Sequence, residues 1–126
     1  MRVVDTPACI EWILGSALGE ALAPQLPRNE EWVVPTIIQH ELARWLGREA
    51  SDANASRGLA FISELVVTPL TTDIATKAAD CAALYRLAMA DAVIDATAID
   101  CGADLLTCDA HFADLPRVIY QAKHPQ

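Results

Sequence analysis

The sequence predicts an α/β fold, a mostly parallel five-stranded sheet covered by helices on both faces. Three observations predict it. Short runs of β-branched and other apolar residues alternate with longer segments of helical periodicity, as in crossover-connected parallel strands. Two of the runs, "RVVD" at residues 2–5 and "DLLTCD" at residues 104–109, pass from apolar residues directly into an aspartate. The 126 residues contain no repeat, linker or low-complexity tract, so residues 1–126 read as one domain able to bury its own core.

Each element has a local reason. Residues 2–5 form the first strand. Thr6 is placed to cap a helix over residues 7–14, since proline is favoured at the first helical position and Gly15 stops the helix. A short helix over residues 16–22 ends before Pro24 and Pro27. "WVVP" (Trp32–Pro35) is the second strand, followed by a helix over Thr36–Glu49 and another over residues 51–65. "VVTPL" (residues 66–70) is the third strand. An alanine-rich helix covers residues 72–88, and a further helix over residues 91–101 ends at Gly102. "DLLT" (Asp104–Thr107) and "RVIY" (residues 117–120) complete the sheet.

Composition excludes several classes. A hydrophobic content of 53% describes a folded globular chain rather than a disordered one. The longest stretch without Asp, Glu, Lys or Arg is nine residues, Trp32 to His40, well short of the roughly 18 needed to span a bilayer. Ala21-Leu22-Ala23 resembles a signal-cleavage site, but Asp5 and Glu11 interrupt the apolar segment a leader requires. The chain reads as cytoplasmic. Cys9, Cys81, Cys101 and Cys108 lie in apolar runs without C-x-x-C spacing, as buried structural thiols do. The net charge of −8 lacks the general basic footprint of nucleic-acid binding, so any action on RNA needs a local explanation.

The carboxylates supply one. In open α/β sheets, sites form beyond the carboxyl ends of the strands, where Asp5 and Asp109 arrive. If the first and fourth strands are neighbours, the two groups lie close together. In "PTIIQHELARWLG", Ile37, Glu41 and Trp45 share one helical stripe beside Ile38, Leu42 and Leu46. Glu41 therefore lies in the apolar face, where an unpaired charge is costly; the structural alternatives are an ion pair to Arg44 or Arg48, or a glutamate at the edge of that face. Asp91 opens an alanine-rich helix, where an N-cap is the plain explanation. Asp95, one turn later on the same face, reads as a solvated helix position. Clustered carboxylates raise one another's pKa, and a divalent cation keeps them ionised. All-oxygen ligands suit Mg²⁺ or Mn²⁺ rather than zinc, and such ions activate water and stabilise charge on a phosphodiester.

At these residues the chain resembles the PIN-domain ribonucleases, specifically the VapC type of bacterial toxin, over essentially its whole length. The resemblance rests on "VVDT", on "PTIIQHELARW" with Glu41, on "MADAVIDATA" with Asp91, and on "LLTCDAHFADLPRV" with Asp109. It implies a three-layer α/β/α fold, Mg²⁺- or Mn²⁺-dependent endoribonuclease activity, and a cognate antitoxin. Matched position by position, Asp5, Glu41, Asp91 and Asp109 form an acidic quartet that holds the metal. Thr107 orients a ligand or water through its hydroxyl, and Thr6 is a candidate for the same role. Pro7 stands where the family often has a polar residue, and Asp95 where a small or apolar one is expected. Asp95 is thus either a candidate outer ligand or an exposed bystander.

Other readings fit less well. A phosphoacceptor receiver domain needs adjacent acidic residues after the first strand and a lysine after the last. Here Asp5 stands alone, and Lys123 lies close to the end of the sequence. A catalytically inert PIN binding module conflicts with an intact quartet, and no Gly-rich loop follows the first strand to hold a dinucleotide. His40, His111 and His124 form no triad with a serine or cysteine; His111 is expected to pack locally with Phe112. No segment reads as an internal inhibitor, the last six residues "QAKHPQ" being short and weakly charged. Inhibition is expected from a small partner with a basic segment, arginine being the natural match for carboxylates. A homodimer is expected through apolar surface such as Trp45 and Phe61.

Overall fold

The computed structural model of the chain describes residues 1–123; His124 lies outside the described residues. The strands β1 (Arg2–Val4), β2 (Trp32–Pro35), β3 (Val66–Thr68), β4 (Asp104–Thr107) and β5 (Val118–Tyr120) form one sheet. The helices are α1 (Thr6–Leu14), α2 (Ala17–Leu22), α3 (Thr36–Glu49), α4 (Asp52–Ser63), α5 (Thr72–Tyr85) and α6 (Met89–Asp100). The sheet order is β3-β2-β1-β4-β5 and every pairing is parallel, so the three-layer α/β/α arrangement follows.

That order decides where a site can form. From β1 the chain winds outward through β2 to β3, then crosses back to place β4 on the other side of β1. The direction of winding reverses between β1 and β4, and a crevice opens there at the carboxyl ends of the strands. The pairings Val3↔Leu105 and Val4↔Leu106 set the register. At the opposite edge, Arg2 Nε donates to Asp104 Oδ1 at 2.7 Å, holding the amino ends of the same two strands in step. Val3, Val4, Val33, Leu105 and Leu106 are almost wholly buried, the near-continuous apolar strands expected of a sheet covered on both faces.

Several boundaries differ from the local reading. The first strand ends at Val4, and α1 is capped by Asp5 rather than Thr6: Asp5 Oδ1 accepts from the Ala8 N–H at 3.0 Å. Helix α5 stops at Tyr85 because Arg86 adopts a left-handed conformation at φ 55°, a role usually given to glycine. Helix α6 begins at Met89 with Ala88 at its cap position, so Asp91 sits in the first turn and is not the N-cap. Gly15, at φ 66°, ends α1 as expected.

Helix α6 is buried continuously from Ala92 to Ala98. Asp95 is consequently 4% exposed, which corrects the expectation of a solvated position. Its neighbourhood includes the Cys81 thiol of α5, and its Oδ2 has no hydrogen-bond partner. Cys9, Cys81 and Cys108 are buried free thiols and Cys101 is half-buried, as the apolar runs imply. Phe61 packs against Trp12 and Trp32, with ring centroids 5.6 and 5.9 Å away, so much of its surface faces inward. Exposed apolar side chains include Ile13 and Leu14 on α1 and Leu70, Leu84 and Met89 on or beside α5 and α6. No helix of the described residues is long and apolar enough to cross a membrane.

Candidate active site

Asp5 does two local jobs at the end of β1. It is 1% exposed, caps α1 through Oδ1, and accepts the Thr107 hydroxyl on Oδ2. Thr107 Oγ1 in turn accepts from the Asp109 N–H at 2.9 Å. One hydroxyl therefore ties the carboxylate following β1 to the turn following β4, across 102 residues of sequence. Asp109 caps the short helical turn Ala110–Phe112: its Oδ1 accepts from the His111 N–H at 2.9 Å, and buried Phe112 anchors that turn.

Helix α3 brings Glu41 to the same edge. Ile38, Leu42 and Leu46 are its buried stripe, while Glu41 is half-buried at the margin of that stripe rather than within it. Arg44 and Arg48 make no ion pair with it; Glu41 Oε1 instead accepts the Thr6 hydroxyl at 2.7 Å. Asp91 enters from the first turn of α6, where the helix dipole favours a negative charge.

Burial and neighbouring charges both act on these groups. Asp5 is raised from 3.8 to about 6, mainly by burial, against the hydrogen bonds from Thr107 and Ala8; Asp109 and Asp91 add repulsion. Asp91 is raised by burial and by Asp109 and Glu41, with His111 opposing. Asp95 is raised chiefly by burial, and the charge felt there is that of Arg117, not of the quartet. Of the expected four, Asp91 and Asp109 lie at ligand spacing, Asp5 is joined to the Asp109 turn through Thr107, and Glu41 lines a neighbouring cleft with Thr6. Asp95 lies one turn deeper and apart from them.

A carboxylate whose folded-state pKa exceeds its unfolded value stabilises the fold when protonated. That stability is fully present below about pH 4 and is lost as pH rises through about 6. For Asp5 the change corresponds to about 3 kcal/mol. In EDTA, the chain should melt at higher temperature at pH 5 than at pH 7.5, and a divalent cation should reduce the difference. A metal-free melting temperature that climbs with pH across this range would contradict the placement of Asp5.

The donor set fits a divalent cation. One ligand atom each from Asp91, Asp109 and His111 lie within 4.8 Å of one another. Sequence reasoning missed His111. Its side chain is 79% exposed, and Nδ1 lies 3.2 Å from Asp109 Oδ1, so it does not pack into the loop with Phe112. The available signal was its position two residues after Asp109, the spacing at which a capping aspartate holds the next turn.

Three clefts meet the carboxylates. One of about 270 Å³ is lined by Arg86, Asp91 and His111, with Tyr85, Leu87 and Ala88. Another holds Thr6, Glu41, Arg44 and Arg48, and a third joins Asp109 and His111 to Lys123. Among the described residues Arg44, Arg48, Arg86 and Lys123 form no ion pair, whereas Arg2, Arg28 and Lys77 are paired elsewhere. The chain is acidic as a whole, yet each of these clefts sets a cation without an ion pair beside a carboxylate.

Comparisons with known proteins agree with this architecture. A toxin–antitoxin complex from Klebsiella pneumoniae contains a chain similar to this one at 23% identity and a TM-score of 0.81, covering 94% of this chain and 96% of that one. VapBC2 from Rickettsia felis, solved with a DNA fragment from its promoter, gives 18% identity and a TM-score of 0.73, covering 96% and 97%. VapC20 from Mycobacterium tuberculosis, described as a sarcin-ricin loop cleaving toxin, gives 20% identity and 0.70, covering 96% and 100%. At these identities the likeness establishes a shared fold. No curated protein sequence matches the chain. The PIN domain family model, however, matches residues 2–118, from the first strand into the last, and the motifs at Asp5, Glu41, Asp91 and Asp109 all fall within that match: the chain belongs to the PIN domain family.

Proposed function

We propose that the chain is a metal-dependent endoribonuclease of the toxin type, inhibited by a small antitoxin with a basic segment. The observation that carries this reading is the ligand spacing of Asp91, Asp109 and His111, beside the β1–β4 switch point where Thr107 ties Asp5 to the turn that carries Asp109. In this reading Asp5, Glu41, Asp91 and Asp109 surround a Mg²⁺ or Mn²⁺ ion. The ion, when bound, supplies the Lewis acidity that activates water and offsets charge building on a phosphodiester. Thr107 holds Asp5 in place and Thr6 holds Glu41. Arg44, Arg48, Arg86 and Lys123 receive flanking phosphates, a local answer to the net charge of −8.

Support for an inhibitor comes from the neighbours, several of which were solved as toxin–antitoxin pairs. The crevice has the complementary chemistry, because guanidinium groups pair with carboxylates bidentately.

The purified chain should cut RNA internally when Mg²⁺ or Mn²⁺ is added, leaving 5′-phosphate ends, and should stop when EDTA exceeds the metal. End-labelled RNA on a denaturing gel reads the result. Cleavage that persists in excess EDTA would remove the metal from the mechanism, and intact RNA with both ions would remove the nuclease.

A further inference from the structure

We propose that His111 contributes an imidazole nitrogen to the cation site, so that this chain selects a first-row transition-metal dication, with Mn²⁺ as the working example, over Mg²⁺. The inference rests on the reading that Asp91 and Asp109 hold a divalent cation, and it concerns which ion they hold.

The geometry has two parts. Asp109 Oδ1 accepts the His111 backbone N–H at 2.9 Å and lies 3.2 Å from Nδ1, which leaves Oδ2 facing no partner among the described residues. The backbone of His111 is thus fixed against Asp109, while its side chain is 79% exposed. The ring also borders the cleft that contains Asp91 and Arg86. Ligand atoms of Asp91, Asp109 and His111 lie within 4.8 Å of one another. An octahedral ion with bonds of about 2.1 Å needs ligand atoms about 3 to 4.2 Å apart. The His111 Nδ1 to Asp109 Oδ1 distance of 3.2 Å already falls in that range, and the three groups as a set exceed it by about 0.6 Å at most.

The chemistry then discriminates between ions. Mg²⁺ is hard, prefers oxygen, and gives up its water reluctantly. A nitrogen donor adds little to its affinity and more to that of a transition-metal dication. An all-carboxylate site would hold Mg²⁺ and Mn²⁺ on similar terms. Replacing one oxygen by an imidazole nitrogen breaks that parity.

The experiment uses the full chain with Mn²⁺ and Mg²⁺ as probes. Free Mn²⁺, measured by EPR, gives its affinity, competition by Mg²⁺ gives the ratio, and pulsed EPR of the bound ion detects a coordinated ¹⁴N. The wild-type chain should prefer Mn²⁺ and show nitrogen coupling. His111→Ala should lose the coupling and weaken Mn²⁺ on the order of tenfold or more, with a smaller change for Mg²⁺. His111→Asp should restore tight binding with oxygen ligands only and a lower Mn²⁺ preference. Wild-type chain without nitrogen coupling, or an unchanged ion preference in His111→Ala, overturns the proposal and leaves His111 as a group that only positions Asp109. In that case RNA cleavage with both ions keeps the nuclease reading. Nitrogen coupling without cleavage by either ion keeps the histidine ligand and removes the nuclease reading instead.

Discussion

Asp5→Asn, Asp91→Asn and Asp109→Asn should each lower RNA cleavage by about a hundredfold or more, and Glu41→Gln should behave alike. Changes to groups that merely orient a metal ligand cost about 10- to 100-fold, and these carboxylates are assigned to the ion itself. The fold should survive. An asparagine at position 5 can still accept from the Ala8 N–H, and its amide can donate to the Thr107 hydroxyl, which can act as donor or acceptor. Without metal the Asp5 variant should melt higher than wild type near pH 7, because it removes a buried charge that Asp91 and Asp109 repel. Asp95→Asn is the control. Asp95 is buried with only its Oδ2 unpartnered and lies outside the Asp91-Asp109-His111 group, so cleavage should stay within a few-fold of wild type. Equal inactivation by Asp95→Asn and Asp5→Asn would show that the quartet is incomplete.

Expression of the wild-type chain alone in a bacterial host should arrest growth, while Asp109→Asn should be tolerated. Co-expression of an adjacent reading frame encoding a small protein with an arginine-containing segment should restore growth and yield a stable complex. The expected contact is electrostatic at its centre: guanidinium groups against a crevice where Asp5 and Asp91 are strained by burial and mutual repulsion. Pairs inside the crevice should be screened less by salt than pairs at its rim, so the complex should persist at moderate ionic strength. Replacing the inhibitor's arginines by lysines should weaken it, since lysine lacks the planar fork. Harmless expression of the wild-type chain, with no such protein copurifying from its native host, would favour a housekeeping PIN nuclease over a toxin.

Much of the architecture is legible because its signals are local. Gly15 at a helix end, apolar runs in β1, β2 and β4, and the Ile38-Leu42-Leu46 stripe each act over a few residues, and each appears in the structure as read. The strand-end aspartates are equally plain from the chain. Their meeting is not, because it depends on β4 crossing back to lie beside β1. The Thr107–Asp5 and Thr6–Glu41 hydrogen bonds span 102 and 35 residues, beyond any helical or strand period. Helical periodicity also assumes one solvated face. Helix α6 has none from Ala92 to Ala98, so Asp95 is buried where the pattern puts it in water. Arg86 ends α5 in a left-handed conformation that nothing in its side chain announces, and this places it in a cleft with Asp91 and His111. Residue type and short-range spacing therefore supply the carboxylates, whereas strand order and all-round packing bring them together and decide which histidine and which cations face them.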